Sequence, residues 1–251
     1  MLPTIARSCF FGPDNVPGVR LSRAVAGYRS APTPRSRPPT GRKDHVPELD
    51  FAGLTIHYDH RVLEPRPWTV AQSAWAAELL DELPEGPVLE LCAGVGQIGL
   101  CAVWGRDRRL VCVDDNPVAC GYALANAEAA GLAGQVSVRE LPLDTAVAES
   151  ERFALVIADP PWVPHDQVGR FPEDPPHAID GGADGLDVAR TCLEVARDHL
   201  VPGGALLLQL GPGQSAILAP ELDGLSLVEV RRHADRGELA LLQPAERPVA
   251  A

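Results

Sequence analysis

Val88-Leu89-Glu90-Leu91-Cys92-Ala93-Gly94-Val95-Gly96-Gln97 decides the fold. A short apolar run ends at closely spaced glycines, and a helical stretch begins at Gln97. Small residues between a strand and a helix let backbone N–H groups approach a ligand closely. Working outward, Leu110-Val111-Cys112-Val113-Asp114 predicts a second strand. Pro117 suits the first turn of a helix that runs to about Ala130. Val136-Ser137-Val138 predicts a third strand. Residues 153–158 (Phe-Ala-Leu-Val-Ile-Ala) predict a fourth, apolar throughout as in a strand buried on both faces. A helix over about 186–199 precedes Gly203-Gly204 and a strand over 205–210. The runs 225–231 and 238–242, around Asp235-Arg236-Gly237, predict a closing hairpin. Strands alternating with helices imply an α/β fold: a doubly wound, mostly parallel seven-stranded sheet with an antiparallel C-terminal hairpin.

Composition bounds the class. A chain of 251 residues, 45% hydrophobic and 22% charged, can bury a real core, which excludes wholly disordered and collagen-like chains. No run approaches the roughly 18–20 apolar residues of a membrane span. The cysteines at 9, 92, 101, 112, 120 and 192 show no C-x-x-C spacing, so no metal site is expected. Several lie in apolar runs, as buried free thiols do, and a reducing cytoplasm is the expected location. The net charge of −12 is uneven. Residues 1–50 carry eight basic against four acidic residues, which leaves −16 on the other 201. Such a body repels phosphate backbones and disfavours nucleic acid as partner. Residues 1–45, with seven prolines, are expected to be a Pro/Arg-rich flexible arm, with an organellar transit peptide or a wrongly placed start codon as alternatives. Residues 46–251 are expected to be one catalytic domain.

The acid before the glycines carries chemistry. Glu90-x-x-x-Gly94-x-Gly96 resembles motif I of S-adenosylmethionine-dependent methyltransferases. The resemblance implies that Glu90 lies near the methionine ammonium and that Cys92, Ala93, Gly94 and Gly96 pass beneath the cofactor. Asp114 ends the second strand 24 residues after Glu90, where an acid can accept both ribose hydroxyls. The spacing G-x-G-x-x-G also fits at 94, 96 and 99, so NAD binding or a plain tight turn stands as the alternative.

Asp159-Pro160-Pro161-Trp162 directly follows the fourth strand. Its prolines fix the backbone and remove donors, so carbonyls face the cleft. The Asp159 side chain and a rigid carbonyl can each accept one N–H of a planar NH2 group, with the Trp162 ring against its face. An amide or aromatic amine is a poor nucleophile because its lone pair is delocalised. Orientation and local polarisation offset that. The competing reading is a proline-rich turn with a buried tryptophan.

Here the resemblance narrows. A [N/D]-P-P-[Y/F/W] motif marks methyltransferases acting on planar nitrogen. Residues 61–69 (Arg-Val-Leu-Glu-Pro-Arg-Pro-Trp-Thr) resemble the R-V-L-x-P-R-P-x-T-E segment of HemK/PrmC-type release factor glutamine N5-methyltransferases. Residues 173–186 resemble their E-P-x-x-A-L-x-G-G-x-D-G-L loop, and Gly203-Gly204 and Gln209-Leu210-Gly211 fit the strand that follows. Together these cover about residues 55–215. The resemblance implies a Rossmann-like class I methyltransferase, S-adenosyl-L-methionine as cofactor and a protein substrate such as a translation factor. Asp159, Pro160, Pro161 and Trp162 would be catalytic, and Arg66 and Pro67 would bind substrate.

Arg66, extended between two prolines, has two readings: a salt bridge in an acidic protein, or a wall of the substrate mouth. The stretch 163–183 is long enough to be a lid, with His165 and His177 in it. Asp184-Gly185 predicts a helix N-cap, and Asn126 is expected to be structural.

Departures leave the substrate open. The family usually has Asn-Pro-Pro-Tyr, an acid at position 70 and a helical N-terminal domain. This chain has Asp159, Trp162, Val70 and a Pro-rich start. A carboxylate accepts N–H but offers no donor. Three hypotheses follow: an N-methyltransferase on a protein amide; one on an exocyclic base amine of RNA or DNA, or on a small molecule; and a non-catalytic cofactor-binding module.

Overall fold

Residues 47–245 are described in this computed structural model; the expected arm over 1–45 lies outside them. Strands β1 (Glu48–Phe51) and β2 (Leu54–His57) form an antiparallel hairpin. Its two-residue turn puts Ala52 (φ 52°) and Gly53 (φ 95°) in the left-handed region, as a tight hairpin with strand-matching twist requires. Arg66 is extended, as its flanking prolines dictate, and a 3-10 turn over Pro67–Thr69 leads into helix α1 (Val70–Leu80). Neither the hairpin nor α1 is marked by the apolar patterning used above. α1 buries Gln72 and Ser73 beside Trp75 and Ala76, which blurs its stripe.

The alternating part follows: β3 (Val88–Leu91), α2 (Gln97–Val103), β4 (Leu110–Asp114), α3 (Pro117–Ala129), β5 (Val136–Glu140) and β6 (Phe153–Ala158). A short helix α4 (Pro176–Ile179) interrupts the long loop, and α5 (Asp187–His199) runs into β7 (Leu200–Leu210). Helix α6 (Gln214–Leu218), β8 (Leu225–Arg232) and β9 (Glu238–Pro244) complete the chain. The seven-stranded order is β5-β4-β3-β6-β7-β9-β8, parallel from β5 to β7, with β9 and β8 antiparallel. The expected doubly wound sheet and closing hairpin are therefore present.

Period-two alternation splits the core across the sheet. Val88, Leu155, Ile157 and Leu207 face α1 and α2, among Trp75, Ala76 and Ile98. Leu89, Leu91, Val156, Leu206 and Leu208 face α5, among Ala189, Cys192 and Ala196. β3 and β6 are buried end to end. The chain winds outward from β3 to β5 and returns to β6, so the topological switch lies between β3 and β6. The loops after these two strands flank the crevice where ligands bind in such sheets. No helix among the described residues is long and apolar enough to cross a membrane.

One boundary is corrected. The N-cap of α5 is Leu186, with no side-chain cap. Asp184 instead accepts the Leu186 N–H (3.0 Å) and pairs with Arg190. A side-chain cap does occur on α3, where Asn116 Oδ1 accepts the Val118 N–H at 2.9 Å ahead of Pro117.

Candidate active site

The glycine loop is held from three sides. Cys92, Gly94 and Gly96 have positive φ (54°, 53° and 81°), so the chain curls sharply after β3. The Ala93 N–H donates to Val113 O (3.0 Å), and the Gly94 N–H to Asp114 Oδ2 (2.8 Å). Asn126 is fully buried. Its Nδ2 donates to Val95 O and to His57 O, while its Oδ1 accepts the His57 N–H. One amide thus ties loop, α3 and hairpin together, the structural role expected of it.

Glu90 is corrected. Its carboxylate does not border the cleft. It lies beneath the loop, 2% exposed, accepting the Gly99 N–H (2.9 Å) and the Cys112 thiol (3.4 Å). Burial pushes its pKa up to about 7. Gly99 is demanded by this acid, since a Cβ there would stand 2.9 Å from Glu90 Cδ and closer still to Oε2. Glu90 therefore props the loop and α2 from below.

A cavity of about 190 Å³ opens at the switch point. Of the residues expected at the site, Arg66, Cys92, Ala93, Gly94, Asp114, Asp159 and Pro161 line it; Pro67, Glu90, Gly96, Pro160 and Trp162 do not. Sequence reasoning missed Gln97, Asp115, Asn116, Leu143, Asp180 and the placing of His177 in the wall. Gln97, first residue after the glycines, was the most findable. Its Oε1 is buried without a hydrogen-bond partner among the described residues.

Five carboxylates border the cavity (Glu64, Asp114, Asp115, Asp159, Asp180) against Arg66 and His177, and Arg66 is already paired with Asp174. Asp114 accepts the Gly94 and Asn116 N–H groups, yet burial still raises its pKa. Asp159 has no hydrogen bond or ion pair among the described residues, and burial raises its carboxyl to about 7. The Cys92 thiol, half-buried at the cavity floor, faces Cys192, and that contact together with desolvation holds its pKa up; it is not a reactive thiolate.

The Asp159–Trp162 turn is fixed from behind. Gln72 Nε2 donates to Ala158 O (2.9 Å) and Leu207 O (3.2 Å). Gln214 Nε2 donates to Trp162 O at 3.1 Å. The glycines that sequence alone leaves unexplained pack against this turn. A Cβ on Gly181 would stand 2.7 Å from Pro161 O, one on Gly185 would collide with Trp162 O, and one on Gly211 would stand 2.6 Å from the Trp162 ring.

The stretch 163–183, expected above to be a lid, contributes His177, Ala178 and Asp180 to the cavity wall. Val163 N–H donates to Ile179 O, and Gly181 N–H to Val163 O. His177 Nε2 lies 3.0 Å from Asn116 Nδ2, and His165 Nδ1 lies 2.6 Å from Asp180 Oδ2. The Arg66–Asp174 pair joins the lid to the segment before α1. Arg66 forms this salt bridge and also lines the cavity. The Arg66 and Arg236 guanidinium carbons lie 5.7 and 4.7 Å from the Trp68 ring centre. The cavity is smaller than the roughly 300–1,000 Å³ of ordinary ligand pockets. No His/Cys/Asp/Glu group among the described residues is arranged to hold a metal.

Residues 72–171 match the methyltransferase small domain family. The chain is 32% identical over 232 residues to the release factor glutamine methyltransferase of Cereibacter sphaeroides, covering 90% of this chain and 79% of that one. It is 30% identical over 219 residues to the ribosomal protein uL3 glutamine methyltransferase of Burkholderia pseudomallei, covering 79% and 69%. In fold it is similar to the human Mettl16 catalytic domain, at a TM-score of 0.63, 15% identity and 79% and 78% coverage.

Proposed function

We propose, for a chain that belongs to the family of release factor and uL3 glutamine methyltransferases, that it transfers a methyl group from S-adenosyl-L-methionine to a side-chain amide of a protein substrate, a translation factor first among candidates. The observation that carries this is the Asp159–Trp162 turn closing β6 beside the glycine loop of β3, across the switch point. The domain is 46–251, and a reducing cytoplasm is its compartment.

The cavity suits the cofactor chemically. An acid-dominated wall fits a ligand bearing a sulfonium and an ammonium, and the orphaned Gln97 Oε1 offers the ammonium an acceptor. When bound, S-adenosylmethionine supplies an electrophilic methyl group. The chain's residues do the rest. Asp114 takes the ribose hydroxyls with the lone pairs left after its two backbone bonds. Cys92, Ala93 and Gly94 shape the floor under the methionine end, which Glu90 and Gly96 support from outside the cavity. Asp159 accepts one N–H bond of the acceptor and turns its lone pair toward the methyl group, and the Pro160 carbonyl, which does not line the cavity as it stands, accepts the second once the acceptor is seated. Pro161 walls that position, and Trp162 presents a flat apolar surface. Arg66 and Pro67 frame the entrance, and the lid excludes water.

The test is transfer of labelled methyl from S-adenosylmethionine to purified release factor, to uL3 and to total RNA, followed by hydrolysis. Label recovered as N5-methylglutamine supports the reading. Label in RNA only would replace the acceptor with a base amine, the reading that Asp159 in place of Asn favours. No label, with cofactor bound, would leave a non-catalytic module.

A further inference from the structure

We propose that the Asp159 carboxyl carries the reaction's proton: it gives up a proton when the cationic cofactor enters and takes one from the acceptor nitrogen as the methyl group arrives. This rests on the methyltransferase reading above. It assigns a step that the amide of the family's usual Asn could not perform, because an amide does not titrate in this range.

The geometry isolates Asp159. It stands at the end of β6, fixed by the two prolines behind it, and borders the cavity without a hydrogen bond or ion pair among the described residues. The charged and titratable groups around it are mostly acids or neutral thiols. They are Glu90 on β3, Cys92 on the glycine loop, Asp114 at the end of β4 and Asp115 after it, Glu64 before α1, and Asp180 on the lid. The basic groups at the cavity are Arg66, committed to Asp174, and His177, beside Asn116. Among the described residues such a carboxylate has no counterion, and a cationic ligand supplies one. Burial accordingly lifts its pKa to about 7, so the carboxyl holds a proton through much of the range below neutrality until a cation binds beside it.

A sulfonium beside the group reverses that preference, since an adjacent opposite charge favours the ionised form. The proton leaves and the carboxylate accepts an acceptor N–H. During transfer the nitrogen lone pair forms the N–C bond, and the C–S bond breaks with its electron pair staying on sulfur. The surplus N–H proton passes to an Asp159 oxygen. A cation and a carboxylate thereby become a neutral thioether and a carboxylic acid. The demethylated product is uncharged at sulfur, so it leaves the proton in place.

Calorimetric titration in buffers of different ionisation enthalpy counts these protons. At about pH 6.5 the wild-type chain is expected to release up to about one more proton per site with S-adenosylmethionine than with S-adenosylhomocysteine. At about pH 8, where Asp159 is already ionised, the difference should vanish. Asp159→Asn, nearly isosteric, should abolish the difference at both pH values. Glu90→Gln should retain it, which separates the two acids that titrate near 7. Equal proton release for the two ligands, or undiminished release in Asp159→Asn, overturns the proposal while cofactor binding itself still stands. Failure of the wild-type chain to bind S-adenosylmethionine overturns the methyltransferase reading, and the proposal with it.

Discussion

Gly99→Ala sets two physical effects against each other. Gly99 lies inside α2, where alanine is intrinsically better than glycine by about 1 kcal/mol. On propensity alone the variant should be more stable. The added methyl, however, would sit 2.9 Å from Glu90 Cδ, 3.0 Å from Leu110 Cδ2 and inside contact distance of Glu90 Oε2. Leu110 and Glu90 are buried, so neither can swing into solvent. Moving the carboxylate gives up the bonds from Gly99 N–H and the Cys112 thiol, a loss of about 1–3 kcal/mol in a buried site. Overpacking adds about 1–3 kcal/mol. After the propensity gain, a net loss of about 1–5 kcal/mol is expected. Urea unfolding reads it as a lower midpoint at unchanged slope. Glu90→Ala removes the obstructing atoms, so in that background Gly99→Ala should be close to neutral, a coupling above about 1 kcal/mol. A stabilised Gly99→Ala variant, or equal losses in both backgrounds, would refute the account of Glu90 as the prop beneath the loop.

The raised pKa of Glu90 has a sign. Between 4.5 and about 7 the folded chain binds a proton that the unfolded chain has lost, so Glu90 makes stability fall as pH rises through that window. Glu90→Gln should flatten the decline in a pH series of urea midpoints, and an unchanged slope would deny the burial of this acid. Asp114→Ala should weaken S-adenosylmethionine binding about 10–100-fold by calorimetry through loss of charged hydrogen bonds; an unchanged Kd would remove its ribose role. Asp174→Asn loosens a half-buried pair at the lid and should raise both association and dissociation rates of the cofactor a few-fold. Stopped-flow rates equal to wild type would leave the pair without a latching role.

The sheet was legible because its strands are apolar runs punctuated by Gly and Pro. The strands 110–114 and 153–158 coincide with the expected boundaries. α1 and the first hairpin were not, for physical reasons. α1 buries polar residues that hold strand carbonyls, and a four-residue strand gives alternation too little length to show. At the site, residue identity foretold position where a backbone constraint was involved, as with Arg66 between prolines and Asp159 before them. It failed for Glu90, because the motif names an acid but not the direction of its side chain. It also failed for His177 and Asp180, which reach the cavity only through the folding of the lid. The glycines at 181, 185 and 211 were recognised as a pattern. Their reason, close packing on the 159–162 turn, needs three-dimensional neighbours.

Asn126 has a consequence for how the chain can vary. Its amide joins His57 to Val95, residues far apart in sequence. The hairpin borders no part of the cavity, yet loosening it would strand a buried amide and release one carbonyl of the ligand loop. Loop and hairpin are therefore tied through one buried amide, and the order of each supports the other. Sequence drift in a peripheral hairpin then reaches cofactor affinity through the energy needed to keep the loop ordered, with no ligand contact changed.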